Sequence, residues 1–204
     1  MPVSRSAPPK HSWSKLSSAL KTVDNLKAQH SRWMSFSASA LTRDRVFYAN
    51  LVYNIRLDAF LGGKRLSSSL NKVAWMYFLR DHGNRLACAE VSMVSGKHKH
   101  PRLSEGPFVK KAFRSIEKSS HDPRIKRYRY ALRYLRLESM HVFCLWIKAD
   151  RRVEYFIPVA SSNSVLKAGQ WFSRKELTNI LRSEGRRVRA AQERMSDLLK
   201  ERHV

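Results

Sequence analysis

Cysteine is scarce in this chain, and its positions exclude a metal cluster of the usual kind. Cys88 and Cys144 both lie inside apolar runs, without a second cysteine or a histidine at the spacing of a zinc site. We therefore expect two buried, reduced thiols, with a disulfide as the alternative if the strands that carry them are neighbours. No metal or other cofactor is predicted.

Long apolar runs and recognised catalytic signatures are also missing. No stretch reaches the roughly 18 apolar residues of a membrane-spanning helix, and no apolar segment follows the charged start as in a secretory signal. A glycine-rich phosphate loop, a nucleophile elbow and a zinc cluster are absent from the sequence. We expect a cytoplasmic protein without a membrane span. The serine-rich, basic residues 1–23 leave an organellar transit peptide as the alternative.

Acidic residues are few, and the charge balance dominates the composition. Sixteen Asp and Glu stand against forty Lys and Arg, which gives a net charge of +24 and a pI near 10.8. The surplus is even, since residues 1–50, 51–100, 101–150 and 151–204 carry +6, +5, +7 and +6. This charge exceeds what solubility requires and opposes compaction by self-repulsion. It predicts a polyanionic partner, and nucleic acid is the leading candidate.

The hydrophobic periodicity predicts an α+β domain with two β-hairpins and about five helices. The hairpins are expected at Val73–Arg80 with Leu86–Val94 and at His141–Ala149 with Val153–Ala160. Together they predict a four-stranded, mainly antiparallel sheet. The helices are expected from Trp13 to about Phe36, from Thr42 to Leu61, from Phe108 to Lys118, from Pro123 to about Leu137, and from Ser173 onward.

These elements divide what we expect to be one domain into four segments. Residues 1–12 are predicted to be a disordered basic arm, and residues 13–63 a helical segment. Residues 64–172 form the predicted core with both hairpins, and residues 173–204 the C-terminal amphipathic helix. With 43% hydrophobic residues the chain can bury an ordinary core.

The strongest functional signal in the sequence is the helix predicted to begin at Pro123. Residues 124–136 contain six basic side chains and no acid. On a helix, apolar and cationic side chains would occupy opposite sides. The cationic side would hold Lys126, Arg129, Arg133 and Arg136, flanked by Tyr130 and Tyr134. This pattern predicts phosphate contacts and base stacking, as in RNA or single-strand binding. The alternatives are a solvated helix face and tyrosines that border the core.

Two smaller basic groups are predicted to add phosphate contacts. Arg182, Arg186 and Arg189 align away from the apolar side of the C-terminal helix, although Glu193 lies close to them. Lys97 and Lys99 lie in a loop after the first hairpin. In both places a solvated surface is the alternative.

Three residues are candidates for catalysis. Glu90 lies in an apolar predicted strand, where burial would suit it to general acid or base chemistry, and pairing with an arginine is the alternative. His98 and His100 would share one side of a strand, but the lysines beside them disfavour a bound cation.

The sequence supports one primary functional hypothesis and two alternatives. The primary hypothesis is non-enzymatic binding of RNA or DNA, mainly through phosphates, by the basic helical face. The first alternative is a nuclease or toxin-like enzyme that uses Glu90 or a histidine. The second is an interaction module whose first and last helices bind an acidic protein or a second copy of the chain.

Overall fold

A wide mixed β-sheet organises the chain. In this computed structural model the sheet has a predominantly antiparallel arrangement, with one parallel pair at its centre. The structure describes residues 10, 12–18, 20, 46–80, 83–94, 97–98, 101–126, 128–149, 153–162 and 164–201.

The strands of the sheet are β1 (Val46–Ile55), β2 (Leu70–Arg80), β3 (Leu86–Val94), β4 (Lys97–His98), β5 (Arg102–Glu105), β6 (Tyr130–Leu137), β7 (Val142–Ala149), β8 (Glu154–Ala160) and β9 (Phe172–Ser173). The sheet is eight strands wide, because β4 and β5 both pair with the same edge of β3, at different positions along it. Across the sheet the order is β5–β3–β2–β1–β6–β7–β8–β9.

The predicted four-stranded sheet is therefore wrong, although the α+β class holds. Both predicted hairpins are present, as the antiparallel pairs β2–β3 and β7–β8. The sequence-based prediction missed the two strands that join them. β1 and β6 lie side by side at the centre and pair in parallel, with Leu51 opposite Arg133.

The helix predicted over Thr42–Leu61 is wrong for most of its length. Residues 46–55 form β1, and only α2 (Leu57–Leu61) is helical, while residues 42–45 lie outside the described residues. β1 is rich in the β-branched and aromatic residues that suit strands. Because both sides of the strand are largely buried, its apolar residues do not alternate strictly with polar ones. Their spacing therefore also fits the period of a helix.

Helices cover both faces of the sheet. α3 (Pro107–Ser120) packs on one face, here called the α3 face, through side chains such as Phe113 and Ile116. α5 (Arg174–Glu201) packs on the opposite face, the α5 face, through Leu177 and Leu181. The helical residues 12–18, here α1, cover the β2–β3 part of that opposite face with Leu16. The predicted continuation of this first helix beyond residue 20 lies outside the described residues.

The two cysteines are buried free thiols, as predicted. Cys88 belongs to the core on the α3 face and Cys144 to the core on the α5 face, so the sheet separates them. Burial raises the pKa of each thiol to about 12, with the charge of Glu90 adding to the effect at Cys88. Both side chains act as small apolar core residues.

The C-terminal helix begins with the predicted capping box. The Ser173 backbone N–H donates to Glu176 Oε2 at 2.7 Å, and the Glu176 backbone N–H donates to Ser173 Oγ at 3.3 Å. The apolar side of the helix is buried only in its first half. Residues 190–200 are all exposed, and the apolar row continues there with Met195, Leu198 and Leu199 at 60%, 57% and 53% exposure.

Gly185 permits the close packing of α5 on α2. A Cβ atom at this position would lie 3.1 Å from side-chain carbons of both Leu57 and Leu61. We expect Gly185→Leu to lower the free energy of unfolding by about 1–3 kcal/mol, because the added side chain has no room. Urea denaturation measures the change, with Ser183→Leu on the exposed side of α5 as the matched control. Equal effects of the two substitutions would contradict this packing.

Candidate polyanion-binding surface

The basic helix predicted over Pro123–Leu137 is wrong beyond its first turn. α4 (Pro123–Lys126) starts as expected, since the Arg124 backbone N–H donates to Asp122 Oδ1 at 2.9 Å. The chain then enters β6, whose backbone pairs with β1 on one side and β7 on the other. Tertiary pairing thus overrides the helical preference of a segment rich in Arg, Leu and Ala.

As β6 is a strand, its arginines point to opposite faces of the sheet. Arg133 lies on the α5 face, with its guanidinium carbon 5.4 Å from the Tyr53 ring centroid and 5.0 Å from that of Trp146. Arg136 lies on the α3 face, 5.6 Å from the Phe143 ring centroid. The continuous cationic edge predicted from residue 126 to residue 136 does not form.

Arg136 forms a two-point ion pair with Glu90, the candidate general acid or base. Arg136 Nη1 donates to Glu90 Oε1 at 3.1 Å, and Nη2 donates to Oε2. The two side chains are only 22% and 18% exposed. Burial alone would lower the pKa of Arg136, but hydrogen bonding and the negative charge of Glu90 outweigh it and the pKa is raised. This geometry assigns Glu90 a structural partner.

The two tyrosines predicted to stack on bases are core residues. Tyr130 is 3% exposed and Tyr134 is fully buried, with the Phe143 ring stacked on Tyr134 at a centroid distance of 4.8 Å. Burial raises the pKa of Tyr134 well above its usual value. Neither ring offers a surface to a base, whereas Lys126 and Arg129 remain exposed.

The predicted arginine row on α5 is divided among several local partners. Arg182 donates to the Lys64 carbonyl at 3.1 Å and lies over the Phe60 ring. Arg189 pairs with Glu193 at 2.9 Å, while Arg186 is exposed. α5 therefore presents a surface of mixed charge.

The predicted loop contacts are only partly described. Lys97 is exposed in the short strand β4. Lys99 and His100 lie outside the described residues, as does the side chain of His98.

A cationic stripe lies along the outer side of α3. The inner side of this helix is buried, and the outer side carries exposed basic residues that fall within about 100° of arc over about 12 Å. We call these residues the α3 stripe: Lys110, Lys111, Arg114 and Lys118. Within the described part of the chain, no ion pair reaches any of the four. Their charge is therefore available to a partner.

Sequence reasoning missed the α3 stripe although the signal was present. Val109, Ala112, Phe113 and Ile116 have the spacing of a buried helix side, which places Lys110, Arg114 and Lys118 opposite them. The prediction was instead based on residues 124–136, where basic residues are denser in the sequence. Taken together, residues 107–129 hold eight basic and two acidic side chains.

An open cleft of about 720 Å³ adjoins the N-terminal end of the α3 stripe. Arg80 and Arg85 reach it from the β2–β3 hairpin, and Lys110 and Arg114 from α3. Glu105 and Glu117 also line the cleft. The charged residues of the lining therefore carry a net charge of +2, which ion pairs among them do not change. The Arg80 guanidinium lies over the buried Phe113 ring, 5.2 Å from its centroid.

A second feature of the α3 face is an arginine stacked on tryptophan. The Arg124 guanidinium carbon lies 3.9 Å from the Trp171 ring centroid, and Nη2 lies 2.7 Å from Asp122 Oδ2. The hydrogen bond from Arg124 is the main reason that the pKa of Asp122 is lowered. Arg124 is thus held beside α3 in a fixed position.

Two kinds of feature are absent from the residues that the structure describes. There is no group of three or more His, Cys, Asp or Glu side chains that could hold a metal ion. There is also no helix long and apolar enough to cross a membrane.

Comparison with family models, curated proteins and solved structures finds no match to this chain.

Proposed function

We propose that the protein binds nucleic acid, mainly through phosphates, with the α3 stripe as its principal contact surface. One observation carries the proposal: four exposed cations share one side of α3, and none has an ion-pair partner among the described residues. On α5, by contrast, Arg187, Arg189 and Lys200 each pair with an acid of the same helix.

The composition of the α3 stripe favours phosphates over bases. Lysine and arginine are the main phosphate-binding side chains, and they carry little sequence information in that role. The aromatic rings that could stack on bases are largely in the core, and Trp171 is covered by Arg124. We therefore expect binding of low sequence specificity.

The proposal predicts that Lys111→Glu with Lys118→Glu weakens binding. Both residues are exposed, so the fold should be unaffected. Both also lie outside the cleft lining, so the cleft should keep its charged residues. We expect roughly tenfold weaker binding of a short fluorescent oligonucleotide at moderate salt, and a shallower dependence of affinity on salt, since each lost phosphate contact removes about 0.7–0.9 from the log–log slope. Fluorescence anisotropy over a series of salt concentrations measures both, with RNA and DNA strands compared.

The matched control is Lys175→Glu with Arg186→Glu on α5. It makes the same change in net charge at exposed residues on the opposite side of the sheet. We expect a loss below about threefold, through long-range electrostatics alone. Equal losses in the two double variants, or unchanged binding in the α3 variant, would refute the assignment. Cleavage of the oligonucleotide, with or without Mg²⁺, would favour a nuclease instead.

A further inference from the structure

We infer that the cleft beside α3 receives the terminal phosphate of a nucleic acid strand, an inference that rests on the proposed function of the α3 stripe. The ligand group is a phosphomonoester, carried by a strand end or by a free mononucleotide. Its recognition would add a preference for strand ends to the phosphate contacts along α3.

The charge of the cleft matches a phosphomonoester better than an internal phosphate. A phosphomonoester carries about −1.5 to −2 charges at pH 7, whereas a phosphodiester carries a single negative charge. The lining has four cationic and two acidic side chains, a surplus of +2. The net charge of the arginine and lysine side chains, which come from two different elements, therefore suffices to neutralise a dianion.

The acidic residues of the cleft argue against a strand that continues through it. Glu105 and Glu117 belong to the same lining as the cations, so the surplus of +2 matches one dianionic phosphate and leaves none for a second phosphate in the cleft. Carboxylate oxygens can also accept hydrogen bonds from sugar hydroxyl groups or from base amino groups. The volume of about 720 Å³ falls in the range of small-ligand sites, roughly 300–1,000 Å³. These features fit a single terminal nucleotide.

The cleft is continuous with the α3 stripe. Lys110 and Arg114 belong to both, so a strand lying along α3 from Lys118 is led toward the cleft. Asn84 and Gly106, which also line the cleft, have positive φ angles of 60° and 104°. Asparagine and glycine tolerate this conformation best, which suits a hairpin turn and a helix start held in fixed positions.

The test compares oligonucleotides of one sequence that carry a 5′-phosphate, a 3′-phosphate or no terminal phosphate. We expect one phosphorylated form to bind roughly fivefold to tenfold more tightly than the unphosphorylated strand, as for a few added charge-assisted hydrogen bonds. Arg85→Gln should remove that preference while leaving binding of the unphosphorylated strand within about twofold. Arg85 is exposed, and thermal unfolding checks that the variant is folded. Lys110→Gln provides a second variant from the α3 wall.

The outcomes separate the two proposals. Equal affinity for all three oligonucleotides would overturn the cleft inference and leave the proposed function intact. The same holds if the preference survives in both Arg85→Gln and Lys110→Gln. Binding of none of the oligonucleotides would overturn both proposals. In Lys111→Glu with Lys118→Glu, all three oligonucleotides should bind more weakly while the preference persists. A mononucleotide should compete more strongly with the preferred strand than with the unphosphorylated one.

Discussion

Replacing Tyr134 by alanine is expected to lower the free energy of unfolding by about 3–5 kcal/mol. The side chain is fully buried at the centre of the α3 face, where its ring lies 4.8 Å from that of Phe143 and 6.1 Å from that of Phe78. Truncation would leave a cavity that the surrounding strands cannot close. Chemical denaturation followed by circular dichroism measures the loss.

Tyr134→Phe is the matched control. The hydroxyl donates to the Ala112 carbonyl at 3.5 Å, the limit of a hydrogen bond, so we expect a loss below about 1 kcal/mol. Nucleic acid affinity per folded molecule should be unchanged in both variants. A Tyr134→Ala protein that keeps its stability but binds nucleic acid more weakly would contradict the burial of Tyr134 in β6. That result would instead support the sequence-based hypothesis that Tyr134 is exposed and stacks on bases.

Arg136→Ala is expected to lower the free energy of unfolding by about 2–3 kcal/mol. The Glu90 side chain is only 18% exposed in the native structure, and removing the cation leaves its carboxylate without its two-point partner. Loss of one member of a fully buried pair costs about 3–5 kcal/mol, and partial exposure of this pair reduces the expected value. The side chain also loses its packing over the Phe143 ring.

A double-mutant cycle with Glu90→Ala isolates the interaction. We expect the double variant to lose less free energy of unfolding than the sum of the losses in the two single variants. The difference, which is the coupling energy of the pair, should be about 1.5–3 kcal/mol. Urea denaturation of the four proteins supplies the cycle. Simple additivity would show that the ion pair makes no contribution to stability.

The parts of the fold that sequence reasoning found are those specified locally. The capping box of Ser173 and Glu176 sets the start of α5, and the apolar spacing of α3 follows from four residues within two turns. Each hairpin joins strands that are neighbours in sequence. The burial of both cysteines followed from the apolar runs around them.

The central strands β1 and β6 could not be predicted in this way. They are about 80 residues apart in sequence, and their parallel pairing is a contact that no local pattern encodes. β6 also contains Arg133 and Arg136, which look like surface residues in the sequence. In the structure, aromatic rings cover the guanidinium of Arg133 and an acid pairs with that of Arg136.

The α3 stripe was not predicted either, because the exposure of basic side chains depends on the same long-range strand pairing. Residues 124–136 have the highest density of basic side chains, but their exposure depends on whether they form a helix or a strand. The α3 stripe is less dense in sequence and more exposed in the fold. Charge density alone therefore selected a segment whose arginines at 133 and 136 are largely covered, because its exposure depends on the strands that pair with β6.

The most direct test of the α3 stripe is the reactivity of individual lysines toward an amine-specific label, read by mass spectrometry with and without a bound oligonucleotide. If phosphates contact the α3 stripe, Lys110, Lys111 and Lys118 lose reactivity on binding, because phosphates cover them, while the exposed Lys64 and Lys175 near α5 keep theirs. Unchanged reactivity of the α3 lysines in a complex that has formed, or protection of Lys64 and Lys175 instead, would contradict it.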